Sequence, residues 1–128
     1  MRRFALIGCL TSSLVWNIAV AHHSFAMFDR GQTESIAGTV KDFQLINPHG
    51  WLRVMVPDAK GVQNVWSLEL GGGGQLQRFG WTSDVIHPGD KVVVQLHPLK
   101  DGSYGGQLVS VTLPSGQVLG QRAGAGAP

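Results

Sequence analysis

Apolar and polar residues alternate at period two through most of the chain from residue 35 to residue 119, the pattern of half-buried strands. Ile36, Gly38 and Val40 share one face, and Phe43 and Leu45 continue in the opposite phase. An extra residue between Val40 and Phe43, a β-bulge that bends the strand, accounts for the slip. Asn47-Pro48-His49-Gly50-Trp51 then joins this strand to a second, in which Leu52, Val54 and Val56 share a face. Pro48 has no N–H and keeps Asn47 out of the helical region, while Gly50 can take conformations closed to other residues. His49 is thereby displayed at a fixed corner beside an indole. Pro57 to Gly61 form a turn cluster, and Trp66, Leu68 and Leu70 mark a third strand.

The alternation then breaks. Gly71 to Gly74 predict a flexible corner, and Gln75 to Phe79 one or two helical turns before Gly80. No Gly-Lys-Ser/Thr follows the glycines, so they do not form a phosphate-cradling loop. Strand character resumes with Val92, Val94 and Leu96 on one face, and again with Val109, Val111 and Leu113 predicted to point inward. Pro114-Ser115-Gly116 closes a hairpin onto a last short strand, Gln117 to Leu119. Three strands, a helical stub and two or three further strands predict an all-β domain, an OB-like Greek-key barrel of five to six strands. A small β-sandwich is the alternative.

The first 21 residues stand apart from this pattern. Met1-Arg2-Arg3 is basic, Phe4 to Val20 is mostly apolar and uncharged, and Ala19-Val20-Ala21 has the small-x-small form of a signal-peptidase site. The predicted organisation is a cleaved signal peptide over 1–21, an N-terminal arm over 22–34, one domain over 35–119 and a disordered tail over 120–128. Leu6-Ile7-Gly8-Cys9 resembles a lipobox, but the apolar run before Cys9 is too short and continues past it. The expected location is therefore periplasmic or secreted, without a stable membrane anchor after cleavage. Removal of Arg2 and Arg3 leaves eight basic and eight acidic residues. A neutral domain gives no electrostatic footprint for nucleic acid. Cys9 is lost too, so the mature domain forms no disulfide.

Processing creates the strongest chemical feature. Cleavage after Ala21 makes His22 the N-terminus, followed by His23. Its free amine and ring nitrogen chelate one metal, and a further imidazole completes a tetragonal nitrogen set suited to Cu(II). A cut two residues earlier leaves Val20-Ala21-His22, which also binds Cu(II). His49 is the expected third ligand and His97 a weaker one; His87 belongs to a turn. Met27 and Met55 are potential thioether donors, though methionine in an apolar pattern usually serves packing. No cysteine nucleophile, Gly-x-Ser-x-Gly or His-Glu-x-x-His is present, and the carboxylates are scattered. No catalytic residue is nominated.

Ala21-His22-His23-Ser24-Phe25, Gly38-Thr39-Val40, Asn47-Pro48-His49, Trp66-Ser67-Leu68-Glu69, Arg78-Phe79-Gly80-Trp81, Pro88-Gly89-Asp90-Lys91-Val92 and Pro98-Leu99-Lys100-Asp101-Gly102-Ser103 together resemble a family of small exported bacterial proteins classed as a domain of unknown function. The resemblance covers nearly the whole mature domain and implies export and a small β-domain, without a mechanism. The expected function is an exported binding module holding copper through His22 with His23 or His49, as carrier, buffer or accessory protein. The alternative is a metal-free interaction domain that binds a partner protein or small ligand at a Trp51/Trp81 surface. A copper-dependent oxygenase, for which an open metal position is required, is the enzymatic alternative.

Overall fold

The structure is a computed structural model that describes residues 25–122. The signal-peptide stretch, His22, His23 and residues 123–128 lie outside the described residues. Six strands follow one another: β1 (Glu34–Gln44), β2 (Trp51–Pro57), β3 (Gln63–Glu69), β4 (Lys91–Pro98), β5 (Gly105–Thr112) and β6 (Val118–Gly120), with a short helix α1 (Gly73–Leu76) and a 3₁₀ turn (Gln77–Phe79) between β3 and β4. β1 pairs antiparallel with both β2 and β4, β2 with β3, and β4 with β5; a short parallel pairing of β3 with β5 closes the ring. Five strands in the order β1-β2-β3-β5-β4, closed on themselves, form an OB-like barrel, with β6 added beside β5. One closed sheet replaces the two facing sheets that a sandwich would need.

β1 can serve two neighbours because it bends. Val40 pairs with Val54 and Asp42 with Arg53, leaving Lys41 as the extra residue between them. The bulge reverses the phase, so Ile36 and Val40 before it and Phe43 after it all turn toward the core. β5 contains a second bulge that the alternation did not predict. Gln95 pairs with Ser110 and Leu96 with Leu108, so Val109 is left over. Leu108 and Val111 are fully buried, and Val109 instead lines the surface cleft described below. The expectation of Val109, Val111 and Leu113 on one inward face is corrected at its first member.

Leu52, Val54, Leu68, Val94, Leu96 and Leu108 fill the barrel, and Trp81 plugs the end below α1. Gly80, at φ 88°, turns the chain after the 3₁₀ segment so that Trp81 enters the core. Its ring centroid lies 5.8 Å from that of Phe43, and its Nε1 donates to the Gly120 carbonyl at 2.8 Å. Trp81 is fully buried, so its expected place on an exposed binding surface is corrected. The same hydrogen bond extends the domain past Leu119. Gln121 is fixed as well, its Oε1 accepting from Gly71 N at 2.6 Å and its Nε2 donating to the Leu108 carbonyl. The glycine run is not the flexible corner expected either: Gly73 and Gly74 begin α1, and Gly73 is buried.

The N-terminal arm is anchored along the end of β4. Phe28 is buried and bridges to Leu99, Asp29 N donates to the Pro98 carbonyl, and Lys100 N donates to the Met27 carbonyl. A turn at Asp29, whose carboxylate accepts from Gly31 N, then leads into β1.

Candidate ligand cleft at the histidine corner

The β1–β2 corner is packed on the glycine run, which explains why glycine stands at both. Gly50 N donates to the Gly71 carbonyl at 3.0 Å and the Gly50 carbonyl accepts from Leu70 N at 2.9 Å. A Cβ on Gly72 would lie 2.8 Å from Asn47 Oδ1 and 3.0 Å from the Pro48 carbonyl oxygen. Asn47 and Pro48, joined by a cis peptide bond, are thus held against the start of α1, with Gly73 N donating to the Ile46 carbonyl. The backbone of His49 is fixed while its side chain remains 46% exposed.

His49 Nδ1 lies 3.1 Å from Glu69 Oε1. The contact follows from register: Trp51 opens β2 and pairs with Glu69 at the end of β3, which brings the residue two before Trp51 to the same carboxylate. A carboxylate only accepts, so the proton of this hydrogen bond belongs to Nδ1, leaving Nε2 available to a ligand. His97, near the end of β4, has its Nδ1 2.7 Å from the Gln32 carbonyl oxygen. That acceptor fixes the same tautomer and again leaves Nε2 for a ligand.

Both histidines line one cleft of about 530 Å³ above the seam where β3 and β5 part. Glu69, Gln75, Gln107 and Gln121 contribute polar groups, Pro48, Leu70, Leu108 and Val109 apolar ones, and Arg30 and Arg122 positive charge. The size falls within the roughly 300–1,000 Å³ usual for small-molecule sites. Among the described residues no three His, Cys, Asp or Glu side chains are grouped to hold a metal ion. His49 and His97 therefore share a cleft without forming a closed metal site.

The other residues singled out from the sequence lie elsewhere. Met27 is exposed in the arm, and Met55 is half-buried on β2 across from Thr39 and Val65. His87 sits in an exposed turn, with its backbone N–H donating to Asp90 Oδ2. Trp66 packs on Tyr104 with centroids 5.5 Å apart and planes tilted by 44°, and half-buried Trp51 lies across from Glu69 on the neighbouring strand. Glu69 and Gln107 are site residues that pattern reading missed. Glu69 was legible: the hairpin pairs Trp51 with Glu69 and Pro57 with Gln63, symmetrically about Lys60 in the turn cluster.

A family model matches residues 11–108, a span that takes in His22, His23, His49, Glu69 and His97. The chain belongs to DUF6152, a family of unknown function. Among curated proteins, none matches this DUF6152 chain. A solved structure similar to it is the mitochondrial single-stranded DNA-binding protein Rim1 of S. cerevisiae, at 15% identity and a TM-score of 0.48, over 64% of the DUF6152 chain and 92% of the other. A likeness of that size bears on neither ligand nor mechanism, and the assignment of the barrel rests on its strand order.

Proposed function

We propose that this DUF6152 chain is an exported, non-catalytic binding module that holds Cu(II) as a carrier, buffer or accessory protein. The terminal amine and imidazole of His22, exposed by cleavage after Ala21 and followed by His23, would supply the chelate. The domain would add an imidazole from the cleft, His49 first and His97 as its alternative. One observation carries the reading: His49 Nδ1 is held by Glu69 at 3.1 Å. A hydrogen-bonded carboxylate behind the imidazole is the usual support of a metal-binding histidine, since it fixes the ring and raises the basicity of the free nitrogen. His97 carries the equivalent support from the Gln32 carbonyl. Bound Cu(II) would supply charge and a tetragonal preference for nitrogen ligands.

The test is a Cu(II) titration, followed by EPR, of protein beginning at His22. The control carries one additional residue blocking that amine. Tight binding with a nitrogen-rich tetragonal spectrum, lost in the blocked form and weakened by His49→Ala or His97→Ala, is the expected result. Affinity indifferent to the block overturns the terminal chelate. Affinity indifferent to both alanine variants removes the cleft from the site.

A further inference from the structure

Four outward side chains stand in register around the barrel, of which the copper reading uses two, Glu69 behind His49 and His97 as a ligand. Trp51 on β2 pairs with Glu69 on β3, Glu69 with Gln107 on β5, and Gln107 with His97 on β4. Each neighbours a core residue, Leu52, Leu68, Leu108 and Leu96 in turn, so all four point away from the interior. Cross-strand partners place their side chains side by side. Three interstrand gaps give the row a length of about 14 Å. Its last three members line the cleft, and Trp51 joins them as the cross-strand partner of Glu69.

We propose that this row and cleft bind a neutral carbohydrate, with a sugar ring laid against the Trp51 indole and its hydroxyls directed to Glu69, Gln107 and Gln75. The chemistry of the groups selects the ligand. A sugar hydroxyl both donates and accepts, and a pyranose presents such hydroxyls along one edge and C–H bonds on its faces. Carboxamides and a carboxylate supply paired planar donors and acceptors for the edge, and an indole supplies an apolar plane for a face. The side chains of Gln75 and Gln107 have no hydrogen-bond partner among the described residues, and neither is a buried unsatisfied group, so both are open to a ligand. Charge points the same way. The Glu69 carboxylate sits inside the row and opposes a polyanionic saccharide, while Arg30 and Arg122 belong to the same lining. Mixed signs at close quarters leave no field of one sign that would select a charged saccharide over a neutral one.

This inference does not depend on copper, and its experiment is run with EDTA on a form whose N-terminus is extended past His22. Uncharged oligosaccharides built from glucose, galactose, mannose and N-acetylglucosamine are titrated at millimolar concentrations, alongside a galacturonic acid trimer and oligo-dT. Binding is followed by tryptophan fluorescence and by ¹H–¹⁵N shifts of the Trp51 indole and the Gln75 and Gln107 carboxamides. Saturable shifts of those groups with at least one uncharged sugar are expected. Gln107→Ala should weaken that binding several-fold and Trp51→Ala at least tenfold, each with an unchanged unfolding midpoint. Should Trp51→Ala fail to fold, Gln107→Ala and the direct shifts still decide. Tighter binding of the uronic acid or of oligo-dT overturns the inference, as does the absence of saturable shifts with every uncharged sugar.

Discussion

The indole nitrogen of Trp81 donates to the carbonyl of Gly120 at 2.8 Å, a buried hydrogen bond that joins the helical stub to the last strand across 39 residues of chain. Trp81→Phe removes this donor, strands the Gly120 carbonyl and leaves a void beside Phe43. A loss of about 2 kcal/mol is expected from an unpaired buried acceptor together with a small cavity. Urea unfolding should show it, and amide exchange at Leu119 and Gly120 should accelerate more than exchange in β1 or β2.

Two glycines two residues apart should respond oppositely to alanine. At Gly72 a new Cβ meets Asn47 Oδ1 at 2.8 Å and the Pro48 carbonyl at 3.0 Å, so the corner must shift. Gly72→Ala is expected to cost about 1–3 kcal/mol, as overpacking does. Nothing lies within 4 Å of a Cβ at Gly74, in the interior of α1. Gly74→Ala should leave stability unchanged or raise it by up to about 1 kcal/mol, the helical advantage of alanine. Paired denaturation curves decide, and equal losses at both sites would refute the packing account of the corner.

Glu69 sets the tautomer of His49. In the folded protein at a pH where the ring is neutral, ¹⁵N spectra should show the proton of His49 on Nδ1, because Glu69 accepts from it. Glu69→Ala removes that acceptor and should return the ring toward the Nε2–H form that predominates for free histidine. His97, held by the Gln32 carbonyl, should keep its Nδ1 proton in the same variant.

Asp101 offers a pH-dependent check in the β4–β5 loop. Its carboxyl is held below its ordinary value of 3.8, first by the Ser103 hydroxyl and then by the Ser103 N–H, both donating to Oδ1. A lowered folded value contributes stability that is complete above the ordinary value and disappears as pH falls through the folded one. Carboxyl ¹³C titration should therefore find Asp101 below 3.8 in the wild type and closer to it in Ser103→Ala. An unchanged titration would show that the hydroxyl does not hold the charge.

How much of this was legible in the sequence depended on whether neighbouring positions differed in polarity. The bulge at Lys41 was, because Val40 and Phe43 are apolar in opposite phases with Lys41 and Asp42 between them. The bulge at Val109 was not, because Leu108, Val109 and Val111 are all apolar and either phase satisfies the alternation. His49 and His97 were picked as exposed imidazoles, and they do share a cleft. Their supports, Glu69 and the Gln32 carbonyl, come from strand register and from the path of the arm, which local patterns describe poorly. Trp81 misled for the same reason: its burial is decided by a carbonyl far along the chain.

The carboxamide of Gln121 has a consequence for when this domain can form. Beyond Glu69 and Gln107 the strands β3 and β5 no longer pair, and the gap is spanned by one side chain that accepts from Gly71 N and donates to the Leu108 carbonyl, much as a peptide group of an intervening strand would. Residue 121 is thus part of the barrel wall. A nascent chain that has not yet released Gly120 and Gln121 lacks both this bridge and the acceptor for Trp81. Closure waits for residue 121 and rests on pairings distant in sequence, which are slow to begin, and this leaves the polypeptide open for longer to any machinery that handles it in extended form.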